Sequence, residues 1–148
     1  MARSRFVYVT YIRTTPERLW EALIEPRFMR EYWFNMLVEC AWKEGSPWKL
    51  VRPDGHSTDS VGEILEIDPP RRMVIRWQNE WSPELKAEGP SHCAITIEPS
   101  GSVVKLTVIH EIDRPDSKLI AAVSGGWPLV ISNLKSLLET GEIAVRDR

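Results

Sequence analysis

The chain has 148 residues, with 19 lysines and arginines against 21 aspartates and glutamates and a formal net charge of −2. That length suits one domain with a core that needs no disulfide or metal, and the near balance of charge leaves no basic stripe to attract nucleic acid or an anionic membrane. Cys40 and Cys93 lie far apart without CxxC spacing, and the basic start at Arg3 and Arg5 leads into a run broken by Thr10 and Arg13 rather than a signal-peptide core, so a single cytoplasmic domain over residues 1–148 with reduced thiols is expected.

Phe6 to Arg13 is dense in β-branched and aromatic residues on both alternating faces and predicts a first strand. Thr14-Thr15-Pro16-Glu17 reads as a helix start, with a threonine cap, proline in the first turn and a glutamate placed to complete a capping box. The helix Pro16 to Ile24 follows, with Leu19, Trp20, Leu23 and Ile24 as its buried face, and Glu25-Pro26 ends it. Arg27 to Trp33 reads as a second short helix with Phe28, Met29, Tyr32 and Trp33 inward.

From Met36 the apolar period becomes two, first through Val38, Cys40 and Trp42, then beyond Glu44-Gly45 at Trp48 and Leu50. Pro53-Asp54-Gly55 predicts a turn, Val61 to Ile67 a strand, and Asp68-Pro69-Pro70 its close. Met73, Ile75, Trp77 and Trp81 share one face of the next strand, with Val74, Arg76, Gln78 and Glu80 on the other. Ser82 to Ser91 reads as an unstructured, mobile connection at the rim. Cys93, Ile95 and Ile97 alternate in the following strand, and Val104, Leu106, Val108, His110 and Ile112 in the last.

The terminal segment changes back to helical spacing. Val123, Trp127, Val130, Leu134 and Leu138 form one apolar line, while Asn133, Lys135 and Glu139 fall elsewhere. Pro128 reads as either a first-turn residue or a kink, Gly141 as the left-handed residue past the end, and Ser124-Gly125-Gly126 as a place where backbone passes close to a strand. Strand, two helices, a meander and a long helix make an α+β chain: a curved antiparallel sheet of about six or seven strands wrapped around the C-terminal helix.

Among functional candidates, His110 sits on an inward strand face and could orient a ligand or serve as an acid/base, or else be a core histidine bonded to a carbonyl. Trp77, Trp81, His110, Val123, Trp127 and Val130 are the expected cavity-lining set, with Trp81 at the mouth. Trp20 and Trp33 read as helix-to-sheet packing, and Trp42 and Trp48 as core or surface contact. His56, His92 and His110 lie on separate elements without ligand spacing, so no metal is expected, and no cofactor motif is present.

Four stretches resemble the Bet v1/START-like helix-grip superfamily, in the branch similar to the C-terminal domain of the activator of Hsp90 ATPase. They are Thr15 to Leu23 with Pro26 and the Tyr32-Trp33 pair, Gly62 to Trp77, Thr107 to Glu111, and Gly126-Trp127-Pro128 through Glu139. The resemblance implies a cavity between the sheet and terminal helix that takes a small hydrophobic or amphipathic molecule. Its enzymatic members, cyclases and dehydratases, imply Glu63, Arg76 and Glu80 as an acid/base set, but alternation makes these a solvated salt-bridge surface. The chaperone activators carry a further N-terminal domain, and this chain opens on its first strand, so chaperone activation is not the leading expectation. Monomer and homodimer both stay open. Within the terminal helix, Val123 to Val130 is the expected ligand-facing part and Leu134 to Leu138 the anchor.

Overall fold

A computed structural model describes residues 3–146. The elements run β1 (Ser4–Ile12), α1 (Pro16–Ile24), α2 (Pro26–Tyr32), β2 (Leu37–Cys40), β3 (Pro47–Val51), β4 (Thr58–Asp68), β5 (Arg72–Asn79), α3 (Pro83–Lys86), β6 (Ser91–Ser100), β7 (Val103–Ile112) and α4 (Lys118–Thr140). One antiparallel sheet has the order β1-β7-β6-β5-β4-β3-β2, so α1 and α2 carry the chain from one edge of the sheet to the other. Register shifts between Leu50 and Val51 and between Ile64 and Glu66 insert the irregularities that bend such a sheet. The inner face closes over α4, whose Trp127, Val130, Ile131 and Leu134 join the core formed with Leu19, Met29, Trp48, Ile64, Ile97 and Leu106. Each fully buried aliphatic side chain of this kind contributes about 1.5–3 kcal/mol.

Local chemistry explains the helix ends. Thr15 is the cap of α1, and its hydroxyl accepts from the amide of Arg18, which stands at the third helical position. The expected capping box is therefore not made, because Glu17 is one position too early to return the bond. Gly141 closes α4 at φ +86°, with its amide bonded to the Leu137 carbonyl.

Three further expectations are corrected. Residues 82–91 are not an unstructured connection: Ser82 caps α3, the Gln78 amide group donates to the Lys86 carbonyl at 2.9 Å, and Glu88 holds the start of α4. Helix α4 begins at Lys118 with Ser117 as its cap, so Ser124-Gly125-Gly126 lies inside it, and a side chain added at Gly125 would meet nothing within 4 Å. The close approach to a strand belongs instead to Gly62 on β4, where an added Cβ would stand 1.6 Å from the Arg76 carbonyl oxygen. Pro128 lies inside α4, well beyond the first turn. Asn133 is completely buried, because it turns toward the chain that follows the helix. Its Oδ1 accepts the amides of Ala144 and Val145 at 3.0 and 2.6 Å, and its Nδ2 donates to the Val145 carbonyl at 2.8 Å.

The two edges of the sheet differ. On β1, Val7, Val9 and Tyr11 are about half exposed on the outer face, while Ile12 is buried. No helix among the described residues is long and apolar enough to cross a membrane.

Candidate functional site: a cavity under the terminal helix

Between α4 and the strands β3 to β5 lies a cavity of about 390 Å³. Its apolar wall comes from Trp33 at the end of α2, Met36, Leu50 on β3, Trp77 on β5, and one side of α4 with Leu119, Val123, Trp127 and Val130. Alternation on β5 explains the sheet side: Met73, Ile75 and Trp77 all point inward and are buried. Helical period explains the other side, since Leu119, Val123, Trp127 and Val130 fall at steps of four, four and three. Leu134 and Leu138 lie outside the cavity, in the packed end of the helix.

The indoles meet at a tilt rather than stacked, the Trp77–Trp127 pair edge to face. Trp33 and Trp127 have ring centroids 5.5 Å apart, Trp77 and Trp127 5.8 Å, and Trp48 and Trp77 4.5 Å. Pairs in this range add about 0.5–1.5 kcal/mol beyond their area burial. The Trp77 ring is further fixed by its N–H, which donates to the Ser60 hydroxyl at 3.0 Å. Trp33, Trp77, Trp127 and Val130 also border a second apolar void of about 20 Å³ that reaches Trp42 and Trp48, so the indole cluster separates two spaces.

At the mouth the chemistry changes. Trp81 is 55 % exposed, and the Arg52 guanidinium lies over its ring at 3.8 Å from the centroid. Arg52 Nη1 donates to Asp59 Oδ2 at 2.9 Å. Asn79, the next inward residue after Trp77 on β5, uses Oδ1 to accept the amides of Trp81 and Ser82 at 3.1 and 2.9 Å. Leu85 of α3 completes the rim, and outside the cavity the Glu88 carboxylate ties α3 to the start of α4, taking the Ser117 hydroxyl at 2.6 Å and the Lys118 amide at 2.8 Å. Partial burial would raise the Glu88 pKa, but these donors at the positive end of α4 outweigh it and hold the carboxyl below its ordinary value.

His110 is not part of the cavity wall, which corrects its place in the expected lining set. It is completely buried behind Trp77 and Trp127. The Trp127 indole N–H can only donate, and it donates to His110 Nδ1 at 3.2 Å, so Nδ1 is unprotonated. The proton is then on Nε2, which donates to the Ser91 hydroxyl at 2.8 Å, and Ser91 passes its own hydrogen to the Trp77 carbonyl at 3.1 Å. Burial pushes the His110 pKa down to about 3, and the charge of His92 on the adjacent strand lowers it too. Both ring nitrogens are committed within the fold, leaving neither a free lone pair nor a free proton toward the cavity.

The other titratable candidates also lie outside it. Arg76 pairs with Glu63 at 3.4 Å and Lys86 with Glu80 at 2.9 Å. The described residues hold no group of three His, Cys, Asp or Glu side chains able to bind a metal ion. Trp77, Trp81, Val123, Trp127 and Val130 do line the cavity, as spacing predicts. Trp33, Arg52, Asp59 and Asn79 were not expected there; for Asn79 the signal was available, since it continues the inward alternation of β5.

The sequence model of the family described as activator of Hsp90 ATPase homolog 1-like protein matches residues 13–139. The chain belongs to that family. Solved structures similar to this family member include three that share its fold. The Aha1 dimer from Colwellia psychrerythraea has a TM-score of 0.75 at 14 % identity, covering 93 % of this chain and 98 % of that one. An Hsp90 activator from Plasmodium falciparum gives 0.73 at 19 %, with 90 % and 95 % coverage. CalU16 from Micromonospora echinospora gives 0.74 at 18 %, with 95 % and 76 % coverage. At these identities the likeness is one of fold, and it agrees with the helix-grip arrangement seen here. No curated protein matches the chain by sequence.

Proposed function

We propose that this family member binds a small hydrophobic or amphipathic molecule in the cavity between the sheet and α4. The observation that carries the reading is the cavity itself: about 390 Å³, walled by indoles and aliphatic side chains, with polar groups confined to the mouth around Arg52 and Asn79. Such a distribution of one apolar body and a few convergent polar groups is what small-molecule sites have in common. Native mass spectrometry and tryptophan fluorescence titration against a panel of apolar and amphipathic compounds test it. Micromolar binding with altered Trp emission is expected, and a panel without a single micromolar binder would sink the reading.

A second reading, a protein-contact domain, is supported by the names of two structural neighbours, an Hsp90 activator and an Aha1 dimer, and by the half-exposed Val7, Val9 and Tyr11 on the edge strand β1. Sedimentation of the pure chain and co-purification with Hsp90 test it. A monomer at all concentrations that leaves Hsp90 unbound would remove it. The acid/base role of His110 has no comparable support, given that its two nitrogens are already engaged by Trp127 and Ser91.

A further inference from the structure

The polar part of the cavity wall is unequal in hydrogen-bonding capacity. A guanidinium carries five N–H donors, and among the described residues Arg52 places only one of them, on Asp59. Asn79 is only 9 % exposed, and the two backbone amides that take its Oδ1 fix which end of the side chain is oxygen. Its Nδ2 meets no protein acceptor among the described residues, although it lines the cavity. Acceptors on the same wall are already engaged. Asp59 holds Arg52 on Oδ2 and the Ser60 hydroxyl on Oδ1, and the Ser82 hydroxyl takes the Leu85 amide. The two donor groups are brought together by the sheet: Leu50, Ser60 and Asn79 pair across β3, β4 and β5, and Arg52, just past the irregularity that follows Leu50, lines the same cavity.

We propose that the ligand's polar end is an oxygen acceptor of carbonyl type, a carboxylate or a ketone, received by Arg52 and Asn79 while its apolar body lies against Trp77, Trp127 and Val123. This rests on the cavity being a ligand site, as proposed above. Asn79 Nδ2 opens on the cavity and is not sealed within the fold, so an acceptor-only head takes over hydrogen bonds that this group can otherwise make only to water. An ammonium head would bring donors to donors, and its only counter-group, Asp59, is already paired with Arg52. The positive charge of Arg52 favours the ionised carboxylate, and the adjacent Asp59 favours the neutral ketone. The shared requirement is the oxygen without a hydrogen.

Calorimetric titration of four compounds of one size tests the assignment: phenylbutanoate, benzylacetone, phenylbutylamine and butylbenzene, each on the wild-type chain, Arg52→Gln and Asn79→Asp. Asn79→Asp keeps an oxygen for the Trp81 and Ser82 amides while replacing the spare donor with an acceptor. At least one carbonyl compound is expected to bind about tenfold or more tighter than butylbenzene, as one charge-assisted hydrogen bond would give. In both variants that preference shrinks to about twofold or less, with butylbenzene affinity unchanged. Equal binding of carbonyl compounds and butylbenzene, or a preference that survives both substitutions, overturns the head-group assignment and leaves the cavity reading standing. Tightest binding by phenylbutylamine overturns it in favour of Asp59. Binding by none of the four overturns the cavity reading itself.

Discussion

The indole N–H of Trp127 on α4 donates to Nδ1 of His110 on β7 at 3.2 Å, and this single bond between helix and sheet fixes the protonation state of the only fully buried histidine among the described residues. The imidazole is neutral because its partner on that side has no lone pair to offer.

Stability should therefore fall as the solution is acidified. An unfolded imidazole titrates near 6.5 and the folded one at about 3, so between those values the unfolded state binds a proton that the folded state refuses. This group's contribution is fully present above pH 6.5 and lost on the way down to about pH 3. The slope is at most about 1.4 kcal/mol per pH unit. Urea unfolding of the wild type and His110→Gln through this range checks it. The variant should be less stable by about 2–4 kcal/mol at neutral pH, having left Trp127 or Ser91 unpartnered, and its acid limb should be flatter. An identical limb in both proteins would assign the acid dependence to other groups.

Gly62 and Gly125 should respond oppositely to alanine. At Gly62 the new methyl would overlap the Arg76 carbonyl, and the strand pair β4–β5 must part, at a cost of about 3 kcal/mol or more. At Gly125, inside α4 with open space around it, alanine should stabilise by about 0.5–1 kcal/mol through helix propensity. Paired denaturant midpoints read both. Stabilisation at Gly62 would contradict the close approach.

Asn133→Ala should free the chain beyond α4. The Ala144 and Val145 amides and the Val145 carbonyl that Asn133 holds would turn to water, and its longer bond to the Tyr32 carbonyl would be lost, at a cost of about 2–3 kcal/mol. Amide hydrogen exchange should show Ala144 and Val145 losing protection while β6 and β7 keep theirs, and uniform loss across the sheet would refute the local role.

Val123→Phe should fill the cavity without disturbing the packed end of the helix. Val123 is half-buried and lines the open space, so the larger ring has room, and the thermal midpoint should move by only a few degrees. Binding of any cavity ligand should weaken by about tenfold or more, equal to about 1.4 kcal/mol. Unchanged affinity would place the ligand elsewhere.

The sheet and its inward faces were legible because alternation is strict: Val104 to Ile112 and Met73 to Trp77 are buried where period two puts them. The long helix was legible from its spacing, but its start was not, since Leu119 and Ile120 precede the Ser124-Gly125-Gly126 stretch, which reads as backbone passing close to a strand and is instead accommodated inside the helix. Trp127, Val130 and Val123 emerged from the same spacing. Arg52 and Asp59 did not, because they flank the Pro53-Asp54-Gly55 turn and meet only once β3 and β4 pair. The fate of His110 was also out of reach. A strand face shows that an imidazole points inward, but not that an indole from α4 will occupy its lone pair.

Four of the seven tryptophans, Trp33, Trp48, Trp77 and Trp127, stand within a chain of ring contacts from 4.5 to 6.4 Å, while Trp81 stands apart at the mouth under Arg52. Indoles so close share their excited states, so the near-ultraviolet circular dichroism of this protein is a property of the cluster rather than of any one ring. Replacing a single member alters the whole band, and Trp81, 55 % exposed under Arg52, remains a separate emitter. The near-ultraviolet signal of the interior thus belongs to four coupled rings, to which Trp20, Trp42 and Trp81, outside that chain of contacts, add separately.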